Sequence, residues 1–503
     1  MNRNNIWIHV GIAVVLITLA AVLGQIDRWR AVLKVDHQKL ERIQGGHPTF
    51  PAEPVKVKTT DVPEVLVRFK PGFSLDKIRA IASANHDKVF DEIESVKGLT
   101  VIDDLDNADA AAVASQYSAM KDAVEYAEVN TMVKLDDPSE EASARYSFDR
   151  PLAADAPNDP LFGDQWALSN TGQDGGTAKA DLDALNAWAN TKGSEEVVVA
   201  VLDTGVDYKH GDLMGNMWVR PDKMNRYFDD ELGSFDDING FDATNSVTNG
   251  GPQRGSGGGG ILESDPMDDN GHGTHCAGII GAEGDNGIGI SGINQKVQIM
   301  PLKFLGRNGS GSTEDAIAAI NYAIERKKDG VNLRIISASW GSTARSQALE
   351  DVIKAASDAG ILFVAAAGND GTNNDARPHF PSNYDLPNVI SVAALDRNNK
   401  LASFSNFGVK TVHIAAPGKE IVSTWIGDNY REASGTSMAT PYVSGVAALI
   451  IASDPSISMK DLRKRLLDSV DKQDSLKGKV ASGGSLCAAN ALGNFVKVHS
   501  HHQ

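Results

Sequence analysis

Residues 197–207 read Val-Val-Val-Ala-Val-Leu-Asp-Thr-Gly-Val-Asp, an apolar run that ends in a carboxylate and a turn. A short, β-branched run without polar alternation reads as a strand buried on both faces, the kind that parallel sheets use. Similar runs recur at 297–304, 334–339, 361–366 and 389–394, each separated from the next by a helix-like stretch. That alternation predicts an α/β domain over about 156–492, a mostly parallel sheet with helices on both faces. Asp203 then stands at the C-terminal end of a parallel strand, where α/β active sites form. Taken alone, an Asp before Thr204-Gly205 is more often a turn residue.

Upstream of this domain the pattern changes. Residues 136–155 are acidic and irregular, a linker. Residues 61–135 alternate strand and helix: 64–70 and 99–105 are strand-like, 74–86 and 108–120 are helical, and 124–130 is a final strand. This sketches a β-α-β-β-α-β unit of ferredoxin-like type, a fold that says little about function by itself. Residues 25–60 form a polar, proline-punctuated linker. Ile6–Leu23 is almost uninterruptedly apolar and at about 1.5 Å per residue nearly matches a bilayer core. It predicts export, with residues 1–24 as a signal peptide or a membrane anchor in contact with the membrane through 6–23. A glycine run at 255–260 predicts a surface loop, and 493–503 a loose, histidine-bearing tail.

The whole chain has 503 residues, a net charge of −18 and 41% hydrophobic residues. That balance fits a globular protein of two or three domains and excludes a disordered chain or a coiled coil. The acidic surplus argues against nucleic acid as a partner and leaves room for bound Ca²⁺. Two cysteines, Cys276 and Cys487, give no disulfide framework.

Two further segments carry chemistry. Gly271–Gly278 (GHGTHCAG) puts His272 at a loop-to-helix junction between two glycines. Its HxxH spacing lacks the i+4 pair and the acidic neighbour of a zinc helix. Ser434–Pro441 (SGTSMATP) puts Ser437 at a helix start, where N–H groups favour developing negative charge. The bland alternative is an N-cap serine. A GxSxG nucleophile elbow is absent there, because Ala439 stands where the second glycine would be. Together, Asp203, His272 and Ser437 supply an orienting carboxylate, a general base and a nucleophile, in the chain order of subtilisin.

On VLDTGVD, GHGTHCAG and GTSMATP, residues 156–492 closely resemble the catalytic domain of the subtilisin-like (subtilase, peptidase S8) serine proteases. The resemblance implies a three-layer α/β sandwich and a serine endopeptidase made as an autoprocessed zymogen, acting on protein or peptide substrates. It implies catalysis by Asp203, His272 and Ser437, with the Asn369 side chain of AAAGND and the Ser437 N–H as the oxyanion hole. Gly309, Ser310 and Gly311 on one side, and Ser339, Trp340 and Gly341 on the other, would pair with extended substrate, Trp340 narrowing a subsite. Ala366, Ala367 and Gly368 would form a wall of the P1 pocket. Its floor falls near His379-Phe380-Pro381, from which no P1 preference is read. Asp159, Asp212 and Asn286, with the carbonyls of Ile288 and Ile290, match a structural Ca²⁺ site; no organic cofactor is expected. Residues 61–135 resemble the family's inhibitory propeptide (inhibitor I9-like), which would deliver its tail into the cleft, with processing in the 136–155 linker.

Two departures stand out. Asp203 and His272 lie 69 positions apart, so 214–269 holds an insertion that shapes specificity or binds another cation through Asp265, Asp268 and Asp269. Cys276, one turn after His272, reads as a packing residue. The alternatives weighed are an inert peptide-binding relative, against which the intact Asp, His, Ser and Asn argue, and a lipase-type hydrolase, which would need GxSxG and the opposite order.

Overall fold

The apolar run at 197–202 forms the end of the strand Gly193–Asp203, an interior strand of a nine-stranded sheet. The computed structural model describes residues 64–106, 108–135, 150, 155–244 and 262–493. The segment before 64, most of the 136–155 linker, the glycine run and the tail after 493 lie outside the described residues. Across the sheet the order is Asp471–Lys472, Gly484–Ser485, Ile414–Pro417, Val389–Leu395, Leu362–Ala366, Leu333–Ala338, Gly193–Asp203, Lys296–Lys303 and Phe241–Asp242. Each neighbouring pair is parallel except the first. The five runs expected to be strands therefore are strands.

The packing of Gly193–Asp203 explains why its apolar run is continuous rather than alternating. Val197, Val199 and Val201 point into one apolar cluster with the helices His272–Gly281 and Thr436–Ser453. Val198, Ala200 and Leu202 point into another, with Thr313–Lys328 and Gln347–Asp358. Side chains alternate faces along a strand, and here helices cover both. Thr436–Ser453 is apolar and long enough to cross a membrane, yet it is buried as the core helix of this domain.

Residues 64–129 form a smaller unit, with strands Glu64–Phe69, Asp87–Glu92, Leu99–Asp104 and Val124–Val129 and helices Leu75–Ala84 and Ala110–Ala119. The strands pair antiparallel, the second and third adjacent and the first and fourth adjacent. Asp87–Glu92 (DKVFDE) was not legible as a strand: it is charged, and a register shift between Val89 and Asp91 breaks its alternation. One face of this sheet, with Val65, Val67 and Ile102, packs on its own helices. The other face, with Leu66, Phe90 and Val101, joins the cluster of Ile320 and Leu349 in the large domain. The contact is also polar. The Glu128 carboxylate accepts the N–H of Gln347 (2.9 Å) and Ala348 (3.2 Å) at the start of a large-domain helix, where a negative charge is favoured. Arg68 pairs with Asp351, which also accepts the Tyr126 hydroxyl at 2.6 Å.

The 214–269 insertion is built into the body of the domain. Its hairpin, Tyr227–Asp229 and Gly233–Asp236, leads to Asp237, which is buried against Arg326 (2.6 Å) and accepts the Tyr322 hydroxyl at 2.8 Å. Protein groups engage all three carboxylates weighed for a second cation, Asp265, Asp268 and Asp269. Asp265 accepts from Tyr208, Asp269 pairs with Lys303, and Asp268 accepts from Thr204 and Thr274.

Candidate active site

Asp203 is fully buried where the strand Gly193–Asp203 ends, and its Oδ1 accepts the Thr204 N–H and faces His272 Nδ1, each at 2.8 Å. That contact sets the imidazole's orientation and favours a proton on Nδ1, leaving Nε2 as the basic nitrogen. The two glycines beside His272 are there for space. A Cβ at Gly271 (φ 112°) would lie 2.3 Å from the Trp425 ring, and one at Gly273 would lie 2.1 Å from the Gly205 carbonyl oxygen. Asp268, read in sequence only as a candidate cation ligand, locks this junction: its carboxylate accepts from Thr204 Oγ1, from the N–H of Gly271 and Thr274, and from Thr274 Oγ1. It therefore ties the turn after Asp203 to the first turn of the histidine helix.

His275 takes no part in the site. Its ring is buried with Nε2 against the carbonyls of Ile421 and Arg431, and burial pushes its pKa down to about 3. Cys276 is also buried, with Sγ 3.5 Å from the Ser437 carbonyl oxygen. Burial first, and the Asp203 charge second, raise the thiol well above its ordinary range, so it stays protonated and inert. Cys487 is likewise a free, buried thiol.

Ser437 is the second residue of the helix Thr436–Ser453, and its hydroxyl donates to the Ser339 carbonyl at 3.0 Å. Ser339 returns a hydrogen bond from its own hydroxyl to the Ser437 carbonyl at 2.9 Å. Asn369 Oδ1 accepts both the N–H (2.9 Å) and the hydroxyl (3.0 Å) of Thr436. Its amide nitrogen is thereby turned toward Gly435, where a Cβ would stand 3.4 Å from it. Thr436 thus orients Asn369, a role invisible in sequence because 67 residues separate them.

The expected substrate-binding segments meet a strand of the chain itself. Met132–Lys134 pairs antiparallel with Ser310–Ser312, Lys134 bridges to Gly341, and the Leu135 N–H donates to the Gly309 carbonyl at 2.9 Å. Trp340 is buried, its ring 4.7 Å from that of Phe304, in one apolar cluster with Val133 and Leu135. Ala366 ends its strand beside the cleft segments, whereas the Ala367 methyl packs away with Ala393 and Leu395. Gly368 (φ 102°) needs its freedom, since a Cβ there would come within 2.4 Å of Asn406.

Asp159, Asp212 and Asn286 come together as expected. Asp159 accepts the N–H groups of Asp285, Asn286 and Gly287, while the Asn286 amide donates to Asp212 at 2.7 Å. Both carboxylates are fully buried. Desolvation pushes Asp159 up to about 6 and Asp212 up to about 7, each raised further by a nearby carboxylate. Ile290 also reaches this cluster, donating its N–H to Asp212 at 2.9 Å, while the Ile288 side chain is exposed.

A serine at a helix N-terminus, an amide aimed at the same point and a buried Asp–His pair nearby define a serine hydrolase suited to acyl transfer. The family comparison makes this specific. The subtilase family (peptidase S8) model matches residues 194–484, and the chain belongs to that family as a serine endopeptidase. It is 34% identical over 395 residues to the thermophilic serine proteinase of Bacillus sp. (strain AK1), covering 77% of each chain. It is 33% identical over 316 residues to thermitase of Thermoactinomyces vulgaris, covering 63% of this chain and 92% of that one. It is 32% identical over 318 residues to the cell wall-associated protease of Bacillus subtilis (strain 168), covering 62% of this chain and 30% of that one.

Proposed function

We propose that this endopeptidase works through Asp203, His272 and Ser437 and is made as a zymogen restrained by its own residues 61–135. In the reaction His272 Nε2 takes the Ser437 proton, and the Ser437 oxygen attacks the peptide carbonyl. Asp203 holds the imidazolium that forms. His272 then protonates the leaving amine, and water, deprotonated by His272, hydrolyses the acyl-enzyme. The Asn369 amide and the Ser437 N–H receive the oxyanion. The 2.8 Å contact between Asp203 and His272 is the observation that carries this reading. Hydrolysis of peptides by the processed chain, lost on Ser437→Ala, tests it.

Removing the Asn369 donor by Asn369→Leu is expected to lower kcat about 10²–10³-fold with KM nearly unchanged, because the oxyanion exists only after attack. Steady-state kinetics on one peptide separates the two constants.

The zymogen reading rests on the strand Met132–Lys134, which occupies the cleft as a substrate would, by β-augmentation. As the chain advances from Lys134, its antiparallel partner steps back from Gly341 toward Ser339, which supports processing beyond the paired strand, in the 136–155 linker. Intact mass of the purified protein tests this directly, and shows whether residues 1–24 are removed. The apolar run at 6–23 and the cell wall-associated relative support export.

The buried Asp159 and Asp212, raised by desolvation and by like charge, suit a divalent cation with oxygen ligands, and no Lys or Arg pairs with either among the described residues. With Asn286 and the carbonyls of Ile288 and Ile290 they would hold Ca²⁺, which supplies the missing positive charge. At 100-fold its Kd such an ion stabilises by about 2.7 kcal/mol. At about 2.1 cal/mol/K per residue of unfolding entropy, a domain of this size would then lose about 4 °C of melting temperature on chelation. Calorimetry with and without EDTA reads this, and Asp212→Asn is expected to reduce the difference.

A further inference from the structure

The insertion hairpin, Tyr227–Asp229 and Gly233–Asp236, meets the small domain at a patch that is acidic on both sides. The small domain brings Asp91 and Glu94. In the strand of Asp91 the register shifts after Val89, so alternation fails there. Val89 packs on the small domain's own helices, whereas Phe90 packs on the large domain. Asp91 follows Phe90, and the strongest charge acting on it, Asp229, is also on the large domain. Asp91 is 2% exposed, and its Oδ1 meets no hydrogen-bond donor among the described residues. Asp229 is 4% exposed and accepts the N–H of Glu231 and Leu232 at 2.9 and 2.7 Å. Glu94 accepts the Asn321 amide and, at 3.4 Å, the Asp230 N–H. The cations nearby are spent on other acids: Arg79, on the helix Leu75–Ala84, pairs with Glu231, and Lys328 pairs with Glu325. The remaining groups around Asp91 are Glu314, on the helix Thr313–Lys328, and the Tyr227 hydroxyl.

A buried charge without a partner is costly, and two carboxylates sharing one site cannot both ionise readily. A buried carboxylate oxygen with no donor, set among acids, is completed by one ligand, a proton. Resting on the zymogen reading above, we propose that the small domain docks on the hairpin with a proton held by Asp91 and Asp229, and that losing it as pH rises loosens the restraint on the enzyme. The electrostatics run the same way. Burial, then the charge of Asp229, holds the Asp91 carboxyl well above the usual carboxylate range. Burial, then the charge of Glu94, pushes Asp229 up to about 7. Once the domains part, both carboxylates return to water and to about 4. Groups raised in the docked state favour docking fully below about pH 4, and that contribution is lost as pH rises through the docked value. The chain therefore stays restrained in mildly acidic surroundings and opens at neutral to alkaline pH.

The inactive Ser437→Ala chain, cut in the 136–155 linker by an unrelated protease, gives two pieces whose dissociation constant can be measured on dilution. At fixed Ca²⁺ that constant is expected to rise at least about tenfold from pH 5 to pH 8, because each retained proton gives up to about tenfold per pH unit between the free and docked values. Asp91→Asn keeps the shape and removes the charge. It is expected to flatten the rise and to hold the pieces at least about tenfold tighter at pH 8. Asp229→Asn, whose amide oxygen can still accept both N–H groups, is expected to act in the same direction. A merely structural role would weaken both variants at every pH with the slope intact, and that outcome overturns the proposal. So does an equal dissociation constant at pH 5 and pH 8 in the unsubstituted complex, a result that needs neither variant to fold. Pieces that part readily at every pH would overturn the zymogen reading, and this inference with it.

Discussion

Ser437→Ala is expected to lower peptide hydrolysis by about 10⁶-fold and to leave the purified chain at its unprocessed mass. The scale is that measured for the equivalent loss in subtilisin itself, where the serine and histidine act as one unit. The structure shows why no neighbour would compensate. Cys276, the nearest thiol, is buried and held protonated, and its Sγ already contacts the Ser437 carbonyl. The residual rate would come from Asn369, the helix N-terminus and binding alone. Cleaving the linker of the variant with an unrelated protease, then separating the small domain, distinguishes lost chemistry from retained inhibition. An activity that returns after separation would place the nucleophile elsewhere.

Asp203→Asn is expected to cost about 10⁴-fold in kcat, roughly 5 kcal/mol of transition-state stabilisation, with KM little changed. The amide fits the same space, so the fold should persist. An amide NH₂ facing Nδ1, however, pairs with the wrong imidazole tautomer and places the proton on Nε2, where the base is needed. It also removes the charge that stabilises the imidazolium. Circular dichroism and a melting curve establish that the variant folds, and pre-steady-state kinetics then shows whether acylation is the slowed step. Equal kcat for both chains would deny Asp203 its role.

The parts of this molecule that were legible in sequence are those whose signal is local. Residues 197–202 could be read because burial on both faces demands an unbroken apolar run, and Asp203 could be read because it ends that run. The glycines around His272 were legible as close packing, although only the structure shows that Trp425 and Gly205 are what they pack against. What stayed hidden depends on meetings across the chain. Thr436 orients Asn369, and Asp268 meets Thr204 across 64 residues. The strand Asp87–Glu92 was hidden for another reason, since its bulge and its charges erase the period-two pattern. In the insertion, acidic residues in a glycine-rich stretch look available for a cation. Asp268 and Asp269 are in fact engaged by hydroxyls, N–H groups and Lys303.

The central claim is that Ser437 is the activated nucleophile of an Asp203–His272 pair. Labelling with a fluorophosphonate probe, followed by peptide mass mapping, tests it most directly, because only an activated serine reacts. The processed wild-type enzyme is predicted to take up one label, on Ser437, while Ser437→Ala and His272→Ala take up none. A label on another residue, or processed wild-type protein that remains unlabelled, would contradict it.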